Sequence, residues 1–265
     1  SLHDALPICA YAAAERAREV NGADFAAYER LGTASLSIAL YEIDHGLDPR
    51  PSIADGLAST QRAVQIEPLH PWAQVLLGHV HTLKARYAMR VGEDPTADFK
   101  AALASFRKAA ELDRGYVLAH VNALWVYSFW AQWLAGSGLD PTLTVAPAAA
   151  IYEECMQANA FSECQENLGL IDYWRAEHLF DVGKDPGATM ALAAQNLDKA
   201  NGVQKDSIEN RQFTAALRLL RVKDAARRLP DTARRAEEIP PLLAAFEEVL
   251  ADCYRLSAVD PMCSL

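Results

Sequence analysis

Small and apolar residues recur along this chain on one helical face, four times over. Gly56, Thr60 and Ala63 are spaced by four and then three residues. The same spacing separates Ala102, Phe106 and Ala109, then Ala148, Tyr152 and Cys155, then Ala193, Leu197 and Ala200. Such spacing puts each trio on one face of an α-helix, across two turns. The outer members are small and the middle ones mostly large, the stripe that close helix stacking requires. Ahead of each trio comes a second recurring step, Leu31-Gly32, Leu77-Gly78, Ala123-Leu124 and Leu168-Gly169. It predicts another helix, in which a small residue lets a neighbour approach closely.

Between the two predicted helices stands a tetrapeptide, Gly-x-Asp-Pro. It occurs as Gly46-Leu-Asp-Pro49, Gly92-Glu-Asp-Pro95, Gly138-Leu-Asp-Pro141 and Gly183-Lys-Asp-Pro186, with glycine spacings of 46, 46 and 45. Glycine adopts the left-handed conformation that closes a helix without steric cost. Aspartate caps a following helix through its side-chain oxygen, and proline suits the first helical position, where its missing N–H needs no partner. Each copy therefore predicts a helix stop followed by a helix start. The chain is expected to be all-α, a repeat of antiparallel helix pairs.

The sequence of Leu-Gly, Ala, large residue, Ala and then Pro68 resembles the tetratricopeptide repeat (TPR). In later copies Arg114, Ala160 and Lys205 replace that closing proline. The usual repeat has about 34 residues, so this variant is longer by about twelve, all between the Leu-Gly step and the second helix. The resemblance covers roughly residues 23–204. It implies an α-solenoid, a TPR-like right-handed superhelix, with first helices lengthened by two to three turns and a concave groove lined by them.

Composition narrows the functional classes. The net charge of -10 argues against nucleic acid, since phosphate binding needs clustered Lys and Arg. Lys205 to Arg235 is the exception, with nine basic and four acidic residues; a solvated helix face is the expectation there. The five cysteines include no CxxC and no histidine at zinc spacing, so no metal site is indicated. A Cys155–Cys164 bridge is conceivable in an oxidising compartment, but buried apolar thiols are the expectation. The apolar run from Tyr116 to Ala135 approaches membrane-spanning length, yet it contains His120, Asn122 and Gln132 and falls on the first helix of the third repeat. Its equivalents carry Lys84, Arg86 and Arg175, so no membrane span is expected in this fragment. The expected compartment is the cytoplasm, with a membrane anchor elsewhere in the full-length protein as the alternative.

No catalytic signature is present: no Gly-x-Ser-x-Gly, no His-Glu-x-x-His, no phosphate-binding glycine loop and no kinase catalytic loop. His79 and His81, two apart, point to different faces and cannot share a metal. The expected role is non-enzymatic and needs no cofactor. The TPR resemblance implies groove positions Trp72, Val75, His79 and Leu83 in the second repeat, Val121, Trp125, Ser128 and Phe129 in the third, and Glu163, Glu166, Tyr173 and Trp174 in the fourth. Such a groove is aromatic and apolar with an acidic edge, and would dock a protein or peptide. The family's clamp for acidic C-termini pairs Lys with Asn. Here Asn122 and Asn167 stand one residue further along, without the lysines. An alternative comes from the style of the repeat, which is similar to regions following the catalytic domain in many bacterial, myxobacteria-like Ser/Thr protein kinases. That resemblance implies a regulatory or substrate-recruiting region of a signalling protein whose catalytic domain is missing from this fragment.

The ends of the chain stand apart. Residues 1–8, Ser-Leu-His-Asp-Ala-Leu-Pro-Ile, are expected to precede the first helix and to share no register with any repeat. Reverse translation as TCC CTA CAC GAC GCT CTT CCG ATC resembles a sequencing adapter, so these eight residues are expected to be foreign to the gene. Residues 9–204 are then the repeat array. Residues 205–265 form a degenerate helical cap, with one helix over "NRQFTAALRLLRVKDAARRLPDT" and another starting at Pro240-Pro241. No fifth Gly-x-Asp-Pro appears near Arg228.

Overall fold

The computed structural model describes residues 2–157, 161–203, 207–229 and 232–259. Among them are eleven α-helices and no strand: α1 (Leu2–Val20), α2 (Phe25–Asp44), α3 (Arg50–Ile66), α4 (Pro71–Val91), α5 (Thr96–Leu112), α6 (Val117–Gly136), α7 (Val145–Gln157), α8 (Phe161–Asp181), α9 (Gly187–Val203), α10 (Ile208–Arg228) and α11 (Thr232–Val259). The chain forms two compact bodies, Ser1–Val126 and Tyr127–Leu265. Within each, a helix packs most extensively on the neighbour that follows it: α2 on α3, α4 on α5, α8 on α9 and α10 on α11.

All four tetrapeptides close their helices as the residue chemistry demands. Gly46, Gly92, Gly138 and Gly183 have φ of 73°, 79°, 71° and 76°. In each turn the glycine N–H bonds a carbonyl three residues back, and the next N–H bonds one five back, as in Gly46 to Ile43 and Leu47 to Glu42. This double bond pattern is the Schellman closure, which satisfies carbonyls that the helix end would leave orphaned.

In three of the four turns the aspartate acts one position earlier than expected. Asp48, Asp94, Asp140 and Asp185 each accept from the backbone N–H two residues ahead, at 2.9–3.1 Å. In three of the turns a buried proline takes the cap position itself, its carbonyl accepting the first helical bond, as Pro49 does from Ile53. Only in the third does Asp140 occupy the cap with Pro141 at the first position, opening a short 3-10 turn over Pro141–Thr144.

Apart from the half-buried Tyr152, the small–large–small stripe is buried as spaced. A Cβ built on Gly32 would stand 2.6 Å from Thr60, one on Gly78 2.6 Å from Phe106, and one on Gly169 2.8 Å from Leu197. These glycines are recesses for the large residue of the following helix. In the third repeat Leu124 stands where the other repeats have glycine, and Tyr152 donates its hydroxyl to Gln165 at 2.6 Å.

Three expectations for the ends change. First, α1 includes residues 2–8 rather than following them. Its last residue, Val20, lies 46 before the end of α3 at Ile66, which lies 46 before the end of α5 at Leu112. The turns after them are closed alike, by Asp24 N–H to Asn21, His70 to Glu67 and Tyr116 to Asp113. So α1 is in register as a second helix; the Ala- and Arg-rich run after Cys9 propagates it past Pro7.

Second, α11 begins at Thr232 and carries Pro240 and Pro241 inside it. The alanine, arginine and glutamate of residues 232–238 favour helix strongly enough to start it early. Third, α10 is a fifth first helix, in period despite its missing turn. Arg227 donates to the carbonyls of Phe180 and Lys184, as Arg90 donates to that of Ile43; each arginine stands 47 residues after the helix-end carbonyl. Leu229 falls where the fifth glycine is due and ends α10 with φ of -90°.

Several cations of the basic segment are engaged, some between helices and some within α10. Arg211 pairs with Asp252 at 3.2 Å, Arg218 donates to the carbonyl of Ala245, and Asp224, fully buried, is held by Arg227 and Arg228. A guanidinium fork bridges neighbouring helices better than it serves as a solvated charge.

Candidate functional site

In the first body the helical register opens a cleft of about 200 Å³ lined by Leu36, Ser37 and Leu40 of α2, His79, Leu83 and Arg86 of α4, and Trp125 of α6. These side chains share offsets from their turn glycines. Leu40 and Arg86 lie six before, Ser37 and Leu83 nine before, and His79 and Trp125 thirteen before. The first helices thus present one repeating face, with leucines, Ser37 and Arg86 at one end and an aromatic ring at the other.

His79 organises the floor. Its ring meets Phe106 edge-on at 5.6 Å and Trp125 at 6.4 Å between centroids. The Asn122 amide donates to His79 Nε2 at 3.3 Å, which fixes that nitrogen as an unprotonated acceptor. Burial holds the imidazole down to about 4, so it is neutral near pH 7 and the floor stays apolar. Arg86 lies over the Trp125 ring, 5.8 Å from its centroid, a cation–π placement. His81 points elsewhere, its Nδ1 3.6 Å from Asp98, so the two histidines diverge as their spacing requires.

Protonation of His79 is coupled to folding. As pH falls from 6.5 towards 4, the unfolded chain takes a proton that the folded chain refuses. The stability is complete above that window and is lost through it, by roughly 3 kcal/mol at most. His79→Gln should therefore flatten the pH dependence between 4 and 6.5 relative to the parent. Urea unfolding of both chains at pH 4.5, 5.5 and 7 measures this; parallel curves would remove His79 from the account.

The other anticipated groove residues lie apart from this cleft. Trp72 is half-buried and donates its indole N–H to Glu29 at 2.9 Å. Val75 is fully buried, and Val121 half-buried. In the second body Ser128 is buried, Phe129 and Glu166 are half-buried, and Glu163 is exposed. Tyr173 is only 7% exposed and packs in a core with Leu170, Met190, Leu197 and Leu217. Its ring meets Trp174 at 4.9 Å and Phe213 at 5.6 Å, and burial beside Glu177 pushes its hydroxyl pKa up. Trp174 joins the same cluster, half-buried against Phe213 of α10. A tyrosine on the turn of α8 that meets α10 is enclosed because α10 continues the stack.

Among the described residues, no group of three or more His, Cys, Asp or Glu side chains is placed to hold a metal, and no helix is long and apolar enough to cross a membrane. What the cleft offers chemically is an apolar wall with one guanidinium and one neutral imidazole.

The architecture is a TPR-like α-solenoid. A solved structure of a thermophilic TPR protein from Thermus thermophilus is similar over 78% of this chain and 88% of that one, with a TM-score of 0.51 and 18% identity. Yeast Tom70 aligns over 97% of this chain and 61% of its own at 12% identity, but with a TM-score of 0.23, too low to argue from. No family model matches the chain, and no curated protein matches it in sequence.

Proposed function

We propose that this chain is a protein-interaction scaffold that holds an apolar side chain of a peptide or partner helix in the α2–α4–α6 cleft. The observation that carries this reading is the cleft itself, walled by Leu36, Leu40, Leu83 and Trp125, with Leu40 left 39% exposed. An exposed leucine beside an open apolar recess costs solvation that a docked side chain recovers, at about 1.5–3 kcal/mol for one large residue. His79, kept neutral by burial, preserves that apolar character, and Arg86 over Trp125 stiffens one wall. The role uses recognition and involves no cofactor and no chemical step.

A photocrosslinking amino acid at Ser37, in the cleft, should capture a defined protein from extracts of the source cells. The same group at Leu192, exposed on α9, should not. Adding Leu40→Asp to the Ser37 probe should cut the yield about tenfold or more, since a carboxylate cannot be desolvated there without a partner. Equal capture at both positions, insensitive to Leu40→Asp, would overturn the reading.

A further inference from the structure

The junction between the second helix of one repeat and the first helix of the next is built at two fixed positions. They lie seventeen residues after one turn glycine and nineteen before the next. At successive junctions they are Ala63 and Ala73, Ala109 and Ala119, Cys155 and Cys164, and Ala200 with Asn210, the last nineteen before Leu229. All eight are buried. The separation is ten residues everywhere except between the cysteines, where it is nine. The single residue missing from the period, which makes the third glycine spacing 45, is therefore missing between Cys155 and Cys164.

The structure joins these two sulfurs as a disulfide, with Cα atoms 6.5 Å apart, inside the range that a bridge spans. Neither residue is reachable by solvent, both being 0% exposed. Two alanines fill the same positions at the first two junctions, and Ala200 with Asn210 at the last, so the fold does not require the bond. Helix α7 is also tied to α8 without it, and α8 in turn to α9. Tyr152 donates to Gln165, the Gln165 amide donates to Asn196 at 2.7 Å, and Asn196 donates to Asp172 at 3.2 Å. Two unbonded thiols also suit this site, since cysteine packs as a small hydrophobe.

We infer that Cys155 and Cys164 are a redox-responsive staple that fixes the shortened α7–α8 junction when oxidised and leaves it docked but openable when reduced. The oxidant is a small disulfide of the glutathione class. One cysteine thiolate attacks it, forming a mixed disulfide and releasing one glutathione thiolate. The second cysteine then displaces the other. The protein loses two electrons and two protons, and one glutathione disulfide becomes two glutathiones. Because both sulfurs are buried, exchange waits on opening of the junction, so it is slow in the folded chain and accelerates under mild denaturant.

The test uses the full chain, equilibrated with glutathione disulfide or with dithiothreitol. After oxidation, quenching and unfolding, three thiols should titrate of the five, and peptide mapping should place the bond between Cys155 and Cys164. The oxidised chain should melt roughly 5–10 °C above the reduced one. Amide exchange should slow on oxidation in α7 and the start of α8, and not in α2–α5. The Cys155→Ala/Cys164→Ala chain, carrying the residues of the other junctions, should fold and show no redox shift. Five titratable thiols after oxidation, a different pairing, or a melting temperature that ignores redox state in the parent would each overturn the staple.

Discussion

Replacing Phe106 by alanine is expected to cost about 3–5 kcal/mol of stability, as for other wholly buried aromatics, and to reverse the sign of a second substitution. The Phe106 ring is 0% exposed and occupies the recess above Gly78, where an added Cβ would stand 2.6 Å from the ring. In the parent, Gly78→Ala should be destabilising by about 1–3 kcal/mol through overpacking, although alanine favours helix over glycine by about 1 kcal/mol. With Phe106 already alanine the clash is gone. Only the propensity gain and partial filling of the cavity remain, so Gly78→Ala should then be neutral or stabilising. Urea unfolding of the four chains closes this double-mutant cycle. An equal cost of Gly78→Ala in both backgrounds would show that the glycine is not there for the ring.

Tyr173→Ala is the second large effect, expected near 3 kcal/mol or more. The ring fills the α8–α9–α10 core, so its loss leaves a cavity against Leu197, Leu217 and Phe213. Tyr173→Phe should lose only about 1 kcal/mol, the hydroxyl bond to Glu177 at 3.3 Å being long and partly buried. Trp125→Ala, at a half-buried position opening on the cleft, should cost less stability than Tyr173→Ala and more partner capture. Denaturation of the three variants, set beside crosslinking yield from Ser37, separates the two aromatics. A Tyr173→Ala chain of parental stability would return that residue to the groove.

The contrast shows which features a sequence displays openly. The four tetrapeptides were legible because their meaning is local: a glycine at positive φ and an aspartate facing the N–H two residues on depend on nothing distant. The recess pairs were legible because Gly78 and Phe106 recur at constant separation. The groove was less so. Trp125 and His79 were found by register, but Tyr173 stands ten rather than thirteen before its turn glycine, where Thr82 and Ser128 are also buried, and it is enclosed by α10, whose continuation of the stack no glycine announces. Leu229 in the glycine's place hides the period, while Arg227, which reports it, looks like any surface cation until its carbonyl partners are known. Leu36, Leu40 and Arg86 were missed, although Leu36 has the offset of Ser128 and Tyr173, and Leu40 and Arg86 share one offset from Gly46 and Gly92. Aligning the first repeat with the second would have exposed them. Pro240-Pro241 misled because a strong local signal for a helix start was overridden by seven preceding residues with higher helix preference. The cysteines were ambiguous, since burial suits a thiol and a bridge alike.

Repeats built on one spacing carry a hazard during folding, because a helix can dock on the wrong copy of its partner. The recess pairs answer it. Thr60, Phe106 and Leu197 differ in bulk and shape, and Leu124 offers no recess at all. A chain shifted by one repeat would press Phe106 or Leu197 against Leu124, or leave a void beside Gly78 under Thr60. Each misdocked stack then carries a steric or cavity penalty that the native order avoids. The same residues that hold the stack together therefore also number its helices, so that folding selects the correct sequence of neighbours.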